Sequence, residues 1–394
     1  MTAAQQGIYY AFLAIGGIQL IFEMGFNTAI VQHLASTKSK GPKFNAYVKL
    51  GMIFFLVTSI LLFISLLIYG SWFFSDIPET VWEFQWYSFC FVLSGNVFFS
   101  IFYSIKEGML QYDDVYKLRF LSGLAYSFSL ILSFILKLEL WALVIAQLVV
   151  LIFNFIVLKD IYSYAIKTFI NTSLRRARYA FSSIIKFQLK LSVVWITGYF
   201  YWNSFTIFYF KYESPEFAGK IAISLAILAA ISGASASFVR TKRAHFGNLI
   251  SQGKVVDSYE QFIKLSKISI VIYLLAVTFL GVIIWYFQGN EIIARLVDPY
   301  LFSLLFFFRL MILVVEIMAT YLRVFKDEPF FWITLFMNAS VPLSIILCVS
   351  LGMMSYIFEL VIILHMIALF YQLRVFNNHI KLSTNRTRSN ENFI

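Results

Sequence analysis

Residues 51–70 read GMIFFLVTSILLFISLLIYG, an uninterrupted apolar run without a charge. An α-helix rises about 1.5 Å per residue, so a run of this length reaches across a hydrocarbon core about 30 Å thick. The apolar residues do not alternate, and the run is too long for a barrel strand. A helix is therefore the only way for its backbone to satisfy its own hydrogen bonds in lipid. Working outward, similar runs occupy roughly 8–31, 46–70, 84–105, 118–136, 140–158, 191–210, 219–239, 268–287, 300–322, 330–350 and 354–375. The expectation is an all-α integral membrane protein with about 11 transmembrane helices. Composition agrees: of 394 residues 60% are hydrophobic and only 13% charged, against about 25% charged in a soluble domain.

The net charge of +11 is distributed by loop. Of the 31 Lys and Arg residues, 26 fall in one alternating set of connections and the tail, beginning with Lys38, Lys40, Lys43 and Lys49. The opposite connections hold only Lys137, Lys211, Lys220 and Arg295. The positive-inside rule places the first set and the C-terminus in the cytoplasm, and the N-terminus outside. This distribution explains the basicity without nucleic acid. Residues 1–7 carry no Lys or Arg, so no signal peptide is expected.

Five of the six prolines (Pro42, Pro78, Pro215, Pro299, Pro329) fall in or beside connections, and Pro342 lies mid-span, where it would kink a helix. The longest cytoplasmic connection, 159–190, contains SLRRAR at 173–178 followed by Phe181, Ile184, Ile185 and Phe187. Two readings fit it: a helix, capped by Ser173, lying on an anionic leaflet, or an ordinary positive loop. It separates an N-terminal lobe, 1–158, from a C-terminal lobe, 191–376, followed by a polar tail, 377–394, whose end (381–394) reads as disordered.

No GxxxxGK[ST], GxGxxG or HExxH motif occurs, so no nucleotide cofactor or catalytic metal is expected. Cys90 and Cys348 lie in apolar runs and read as buried hydrophobes. Asp113-Asp114 reads as a solvated pair, and Lys106 and Glu107 as snorkelling to the interface. Aromatic runs such as Phe200–Asn203 fit interface anchors better than sugar-stacking platforms.

Ionisable residues within spans carry the functional signal, because each costs about 2.5–3.5 kcal/mol at a helix centre and seeks a polar cavity or partner. Arg309 and Glu316 are two turns apart on one helix face, too far for a direct ion pair. The guanidinium fork of Arg309 suits a phosphate or a sugar acid; it also reads as a structural arginine held by carbonyls near the outer interface. Gln19, Glu23 and Asn27, spaced by four, form a polar stripe fit to bind sugar hydroxyls. Glu23, Glu316 and His365 are candidates for ion coupling; His365 and Glu23 also read as ordinary hydrogen-bonded residues, and Glu359 is a weaker candidate.

Several stretches together resemble bacterial O-antigen flippases, the Wzx-type members of the multidrug/oligosaccharidyl-lipid/polysaccharide (MOP) exporter superfamily. They are QQGIYY at 5–10 with FEMG at 22–25 and Gln32-His33, KEG at 106–108 with VYKLR at 115–119, WITGYF at 195–200 through EFAG at 216–219, TKRAHFG at 241–247, and YLRVFKDEPF at 321–330. The resemblance spreads over about residues 1–376. It departs from the family at Phe238 and Ala244, and in starting where family members already have one helix behind them, giving about eleven helices where twelve are usual.

The resemblance implies a two-lobed MOP/MATE-like bundle around a cavity that opens alternately to each side. Its implied substrate is an undecaprenyl-diphosphate-linked oligosaccharide, an O-antigen or capsule repeat unit, passed across the bacterial inner membrane. A polymerase and a chain-length regulator are the implied partners. Two alternatives stay open: a cation-coupled drug or small-molecule exporter of the same fold, and a membrane-embedded transferase acting on lipid-linked sugars.

The charge asymmetry is directly testable. In intact cells, cysteine replacing Lys137 should react with a membrane-impermeant maleimide, and cysteine replacing Lys242 should react only after the inner face is opened; the reverse pattern contradicts the assigned topology.

Overall fold

The computed structural model describes residues 2–35, 37, 39–287, 289–291, 293–325 and 329–391. Among these, every regular element is a helix, and the chain divides into two compact units, Met1–Asn203 and Ser204–Ile394.

The first unit contains α1 (Ala3–Gly16), α2 (Gln19–Glu23), α3 (Phe26–Ala35), α4 (Pro42–Phe73), α5 (Glu79–Gly108), α6 (Tyr112–Ile135), α7 (Trp141–Val157), α8 (Lys159–Asn171) and most of α9 (Leu174–Tyr212). The second contains α10 (Pro215–Arg240), α11 (Arg243–Ser251), α12 (Val255–Tyr286), α13 (Pro299–Leu322), α14 (Phe331–Ser350) and α15 (Ile357–Glu391). Helix starts follow the sequence signals. Thr2 and Gln5 form a reciprocal capping box on α1. Ser214 and Asp298 cap α10 and α13, each followed by proline at the first helical position, where no backbone donor is lost. Only α14 carries an internal proline, Pro342, and it runs through it as one helix.

All eleven expected spans fall on helices, but by length and hydropathy the described residues give nine spanning candidates, or ten with one bent pair. That pair is α7 and α8. At 17 residues α7 is short, and the chain turns by 72° into α8. The remaining helix, α9, is interrupted by Lys, Gln, Ser, Thr and Asn and is not among the nine or ten. Residues 159–190 thus hold only a two-residue connection, Thr172-Ser173: the rest are α8 and the start of α9, and they fall within the first unit. The tail expected to be disordered continues α15 to Glu391, since no glycine or proline stops the helix after Gly352; residues 392–394 lie outside the described residues.

In the first unit α5 is the most enclosed span and packs against α1, α3, α4, α6, α7 and α8. In contrast, α6 is almost bare, with Phe120, Phe128, Ile131 and Ile135 exposed, a surface that only lipid can wet favourably. In the second unit α13 packs against α10, α11, α12 and α15. The α10 sequence is rich in Gly, Ala and Ser, and buried Ser232 and Ser235 let helix backbones approach closely.

Lys49, read as a loop charge, is instead buried in α4, where its Nζ donates to the carbonyls of Phe169 (2.8 Å) and Thr172 (2.5 Å). It caps the C-terminal end of α8, where free carbonyls and the helix dipole favour a cation. The clearest packing constraint in the unit is Gly70. A Cβ there would penetrate the ring of Trp86, whose Nε1 donates to Leu66 O (3.1 Å) and whose faces meet Phe12, Phe74 and Phe89. Gly70→Ala should therefore lower stability by about 1–3 kcal/mol, the usual cost of overpacking. Tryptophan-monitored thermal unfolding in detergent checks it; an unchanged midpoint contradicts this packing.

Candidate functional site

The first expected span is not one helix. After α1 the chain breaks at Gly17-Ile18, and after α2 it breaks again at Met24 and Gly25, whose φ angles are 50° and 69°. Both residues lie in the left-handed region, which costs Met24 steric strain and Gly25 little. Gly25 is required twice over, because a Cβ there would run into the indole of Trp195. The break frees backbone groups inside a span, and a side chain answers one of them. Gln188 Nε2 donates to Met24 O at 2.7 Å.

This break places Glu23 and Asn27 on separate helices, α2 and α3, and still brings them together. Asn27 Nδ2 donates to Glu23 Oε2 (3.0 Å) and to Ser100 Oγ (3.4 Å), while Ser104 Oγ donates to Asn27 Oδ1 (2.7 Å). Asn27 thereby uses both ends of its amide to hold a half-buried carboxylate against α5. Gln19 stands half-buried at the start of α2. Further along α5, Asn96 Nδ2 donates to Gln147 Oε1 (2.9 Å), and Tyr103 Oη donates to Asn154 Oδ1 (2.6 Å). The most enclosed helix of the unit therefore carries a polar edge.

The second cluster belongs to the second unit. Glu316 on α13 forms an ion pair with Arg240 at the end of α10. Arg240 is 51% and Glu316 27% exposed, so the pair is open to exchange with another ligand. Arg309, two turns before Glu316, is half-buried, and Tyr273 lies on α12. Tyr273 itself donates to Phe306 O (3.1 Å). His365 is buried, with Nδ1 2.8 Å from Val361 O and its ring edge-on to Phe308 at 5.0 Å. Glu359 accepts from Tyr300 Oη (2.9 Å).

Sequence spacing singled out Glu23, Asn27, Arg309 and Glu316; the fold adds Arg240, Gln188, Ser100 and Ser104 as neighbours of these groups or of the break at Met24. Arg240 read as a loop charge because its partner is distant in sequence. The serines four apart on α5 repeat the helical period, the one available signal. Lys106 and Glu107 do not snorkel freely: Lys106 pairs with Asp114 (2.8 Å), and Glu107 with Arg119 (2.8 Å).

The fold is similar to those of solved transporters of the MOP superfamily. The structure aligns with an inward-facing multidrug resistance MATE family transporter of that superfamily at TM-score 0.67, 15% identity, and 97% of this chain against 91% of the other. An outward-facing MATE family transporter aligns at TM-score 0.57, 15% identity, and 96% against 88%. A MOP superfamily transporter from Pyrococcus furiosus Vc1 aligns at TM-score 0.52, 14% identity, and 96% against 88%. Among curated protein sequences none matches. The family model described as polysaccharide biosynthesis protein matches residues 1–242, and the chain belongs to that family.

Asn27→Ala would remove the donor to Glu23 and leave Ser104 Oγ only its longer bond to Ser100 O (3.4 Å). The expected loss of stability is about 1–3 kcal/mol, the cost of a broken buried hydrogen-bonded group. Thermal unfolding checks it; a wild-type midpoint would show that the cluster does not hold the broken span.

Proposed function

We propose that this protein translocates an undecaprenyl-diphosphate-linked oligosaccharide, an O-antigen or capsule repeat unit, from the cytoplasmic to the periplasmic leaflet by alternating access. The observation that carries the reading is the polysaccharide biosynthesis family match on a chain with a transporter fold. Physical chemistry supplies the need: a diphosphate-sugar headgroup pays several kcal/mol per charged or unpaired polar group to enter hydrocarbon. A polar route through protein removes that cost while the lipid tail stays in the bilayer.

In this reading Arg309 holds the anionic headgroup, and Arg240 is a second cation that exchanges Glu316 for phosphate. Gln19, Glu23 and Asn27 offer hydrogen bonds to sugar hydroxyls. Glu23 and Glu316 are the coupling candidates. The contacts of His365 with Val361 and Phe308 support a structural role for it rather than coupling. The protein acts as a transporter, not an enzyme, in the inner membrane with its C-terminus cytoplasmic, alongside the polymerase and chain-length regulator of the same pathway. One observation favours a second reading, export of cationic small molecules: the half-buried Glu23 carboxylate in the first unit. Arg309 weighs against it.

Arg309→Ala should abolish surface polysaccharide while complete lipid-linked repeat units accumulate, at wild-type thermal stability. Lipid extraction with mass spectrometry reads this. Loss of the repeat units themselves would mean a transferase, and intact polysaccharide would exclude Arg309 from the route.

A further inference from the structure

The start of α9 is electrostatically unusual. Arg175, Arg176 and Arg178 crowd its first turns, and no acidic residue is present in the first turn. The backbone dipole adds positive charge at this same end, so the four sources repel one another. Among the described residues no carboxylate pairs with Arg175 or Arg178. Three residues apart, these two share a helix face, and they line a cavity of about 460 Å³ whose other walls are Leu50 and Ile53 of α4 and Leu174 and Phe181 of α9. Just beside it, the Lys49 ammonium ties α4 to Phe169 and Thr172, which sets the turn from which α9 starts.

We propose that this cleft binds one anionic glycerophospholipid, its phosphodiester between Arg175 and Arg178 and its acyl chain along Leu50, Ile53 and Phe181. Two guanidinium forks above an apolar wall match a molecule that is anionic at one end and hydrocarbon at the other. Ile170 and Tyr179, on either side in sequence, are 72% and 71% exposed and supply further apolar surface for lipid. A free phosphate would leave those apolar walls in water. A lipid-linked sugar would find no hydroxyl, amide or carboxylate side chain among the residues lining the cleft. The site is independent of the transported substrate, so its failure would leave the flippase reading untouched.

The test uses the full chain, equilibrated in detergent micelles containing equal phosphatidylglycerol and phosphatidylcholine, with retained lipid read by native mass spectrometry. Each arginine near an anionic lipid is worth roughly a fivefold change in binding, so the pair should favour phosphatidylglycerol by about 25-fold. The double variant Arg175→Gln/Arg178→Gln should lose this preference, and Lys254→Gln, on the second unit, should keep it. Thermal unfolding confirms that the variants are folded. Both lysine and arginine variants behaving alike, or equal retention of the two lipids by the native chain, overturns the proposal. Displacement of the lipid by equimolar inorganic diphosphate also overturns it, in favour of a soluble-phosphate site.

Discussion

Hydrocarbon offers no hydrogen-bond partners, and the rest of this structure depends on how the chain meets that constraint. Along most of its length it does so by long uninterrupted helices whose exposed Phe, Leu, Ile and Trp face lipid. Where a helix is interrupted inside a span, the freed groups need side chains. The break at Met24-Gly25 is such a place: Gln188 reaches the Met24 carbonyl, Trp195 fills the space that only glycine leaves, and Asn27 bridges a carboxylate to two serines of α5. Keeping an interrupted helix in a membrane costs backbone hydrogen bonds, and this one lies beside a half-buried carboxylate.

Each unit organises its polar groups around its central helix. In the first, α5 carries Asn96, Ser100, Tyr103 and Ser104, and it is the span least available to lipid. In the second, α13 carries Arg309 and Glu316 and packs against four neighbours. A charge on a peripheral helix such as α6 would face hydrocarbon and pay its full insertion cost; on a central helix it meets other protein. The two clusters differ in sign. The first offers a carboxylate with amide and hydroxyl partners, the second two arginines and one carboxylate.

The helices were legible in the sequence because hydropathy, proline placement and loop charge are local signals that agree. Pro42, Pro215 and Pro299 stand at the helix starts that their chemistry favours. What escaped is what depends on distant partners. The stripe Gln19–Glu23–Asn27 assumes an unbroken helix, and only the fold shows Met24 turning left-handed between its members. Lys49 looks like any basic loop residue until α8 brings its last carbonyls over it. Arg240 looks like a topogenic charge until α13 places Glu316 against it. The end of α7 falls where the apolar run ends, but the residues beyond it read as a loop because their apolar and charged positions do not form a spanning run, whereas they fold as α8 and the start of α9.

The proposed movement of a lipid-linked sugar between leaflets can be followed in a purified system. The chain would be reconstituted into vesicles carrying undecaprenyl-diphosphate-linked oligosaccharide in one leaflet, and sugar accessible to an added glycosidase would be followed over time. The protected pool should become accessible with the native chain and stay protected with Arg309→Ala. A protected pool that remains so with the folded native chain, under both proton and sodium gradients, would contradict it.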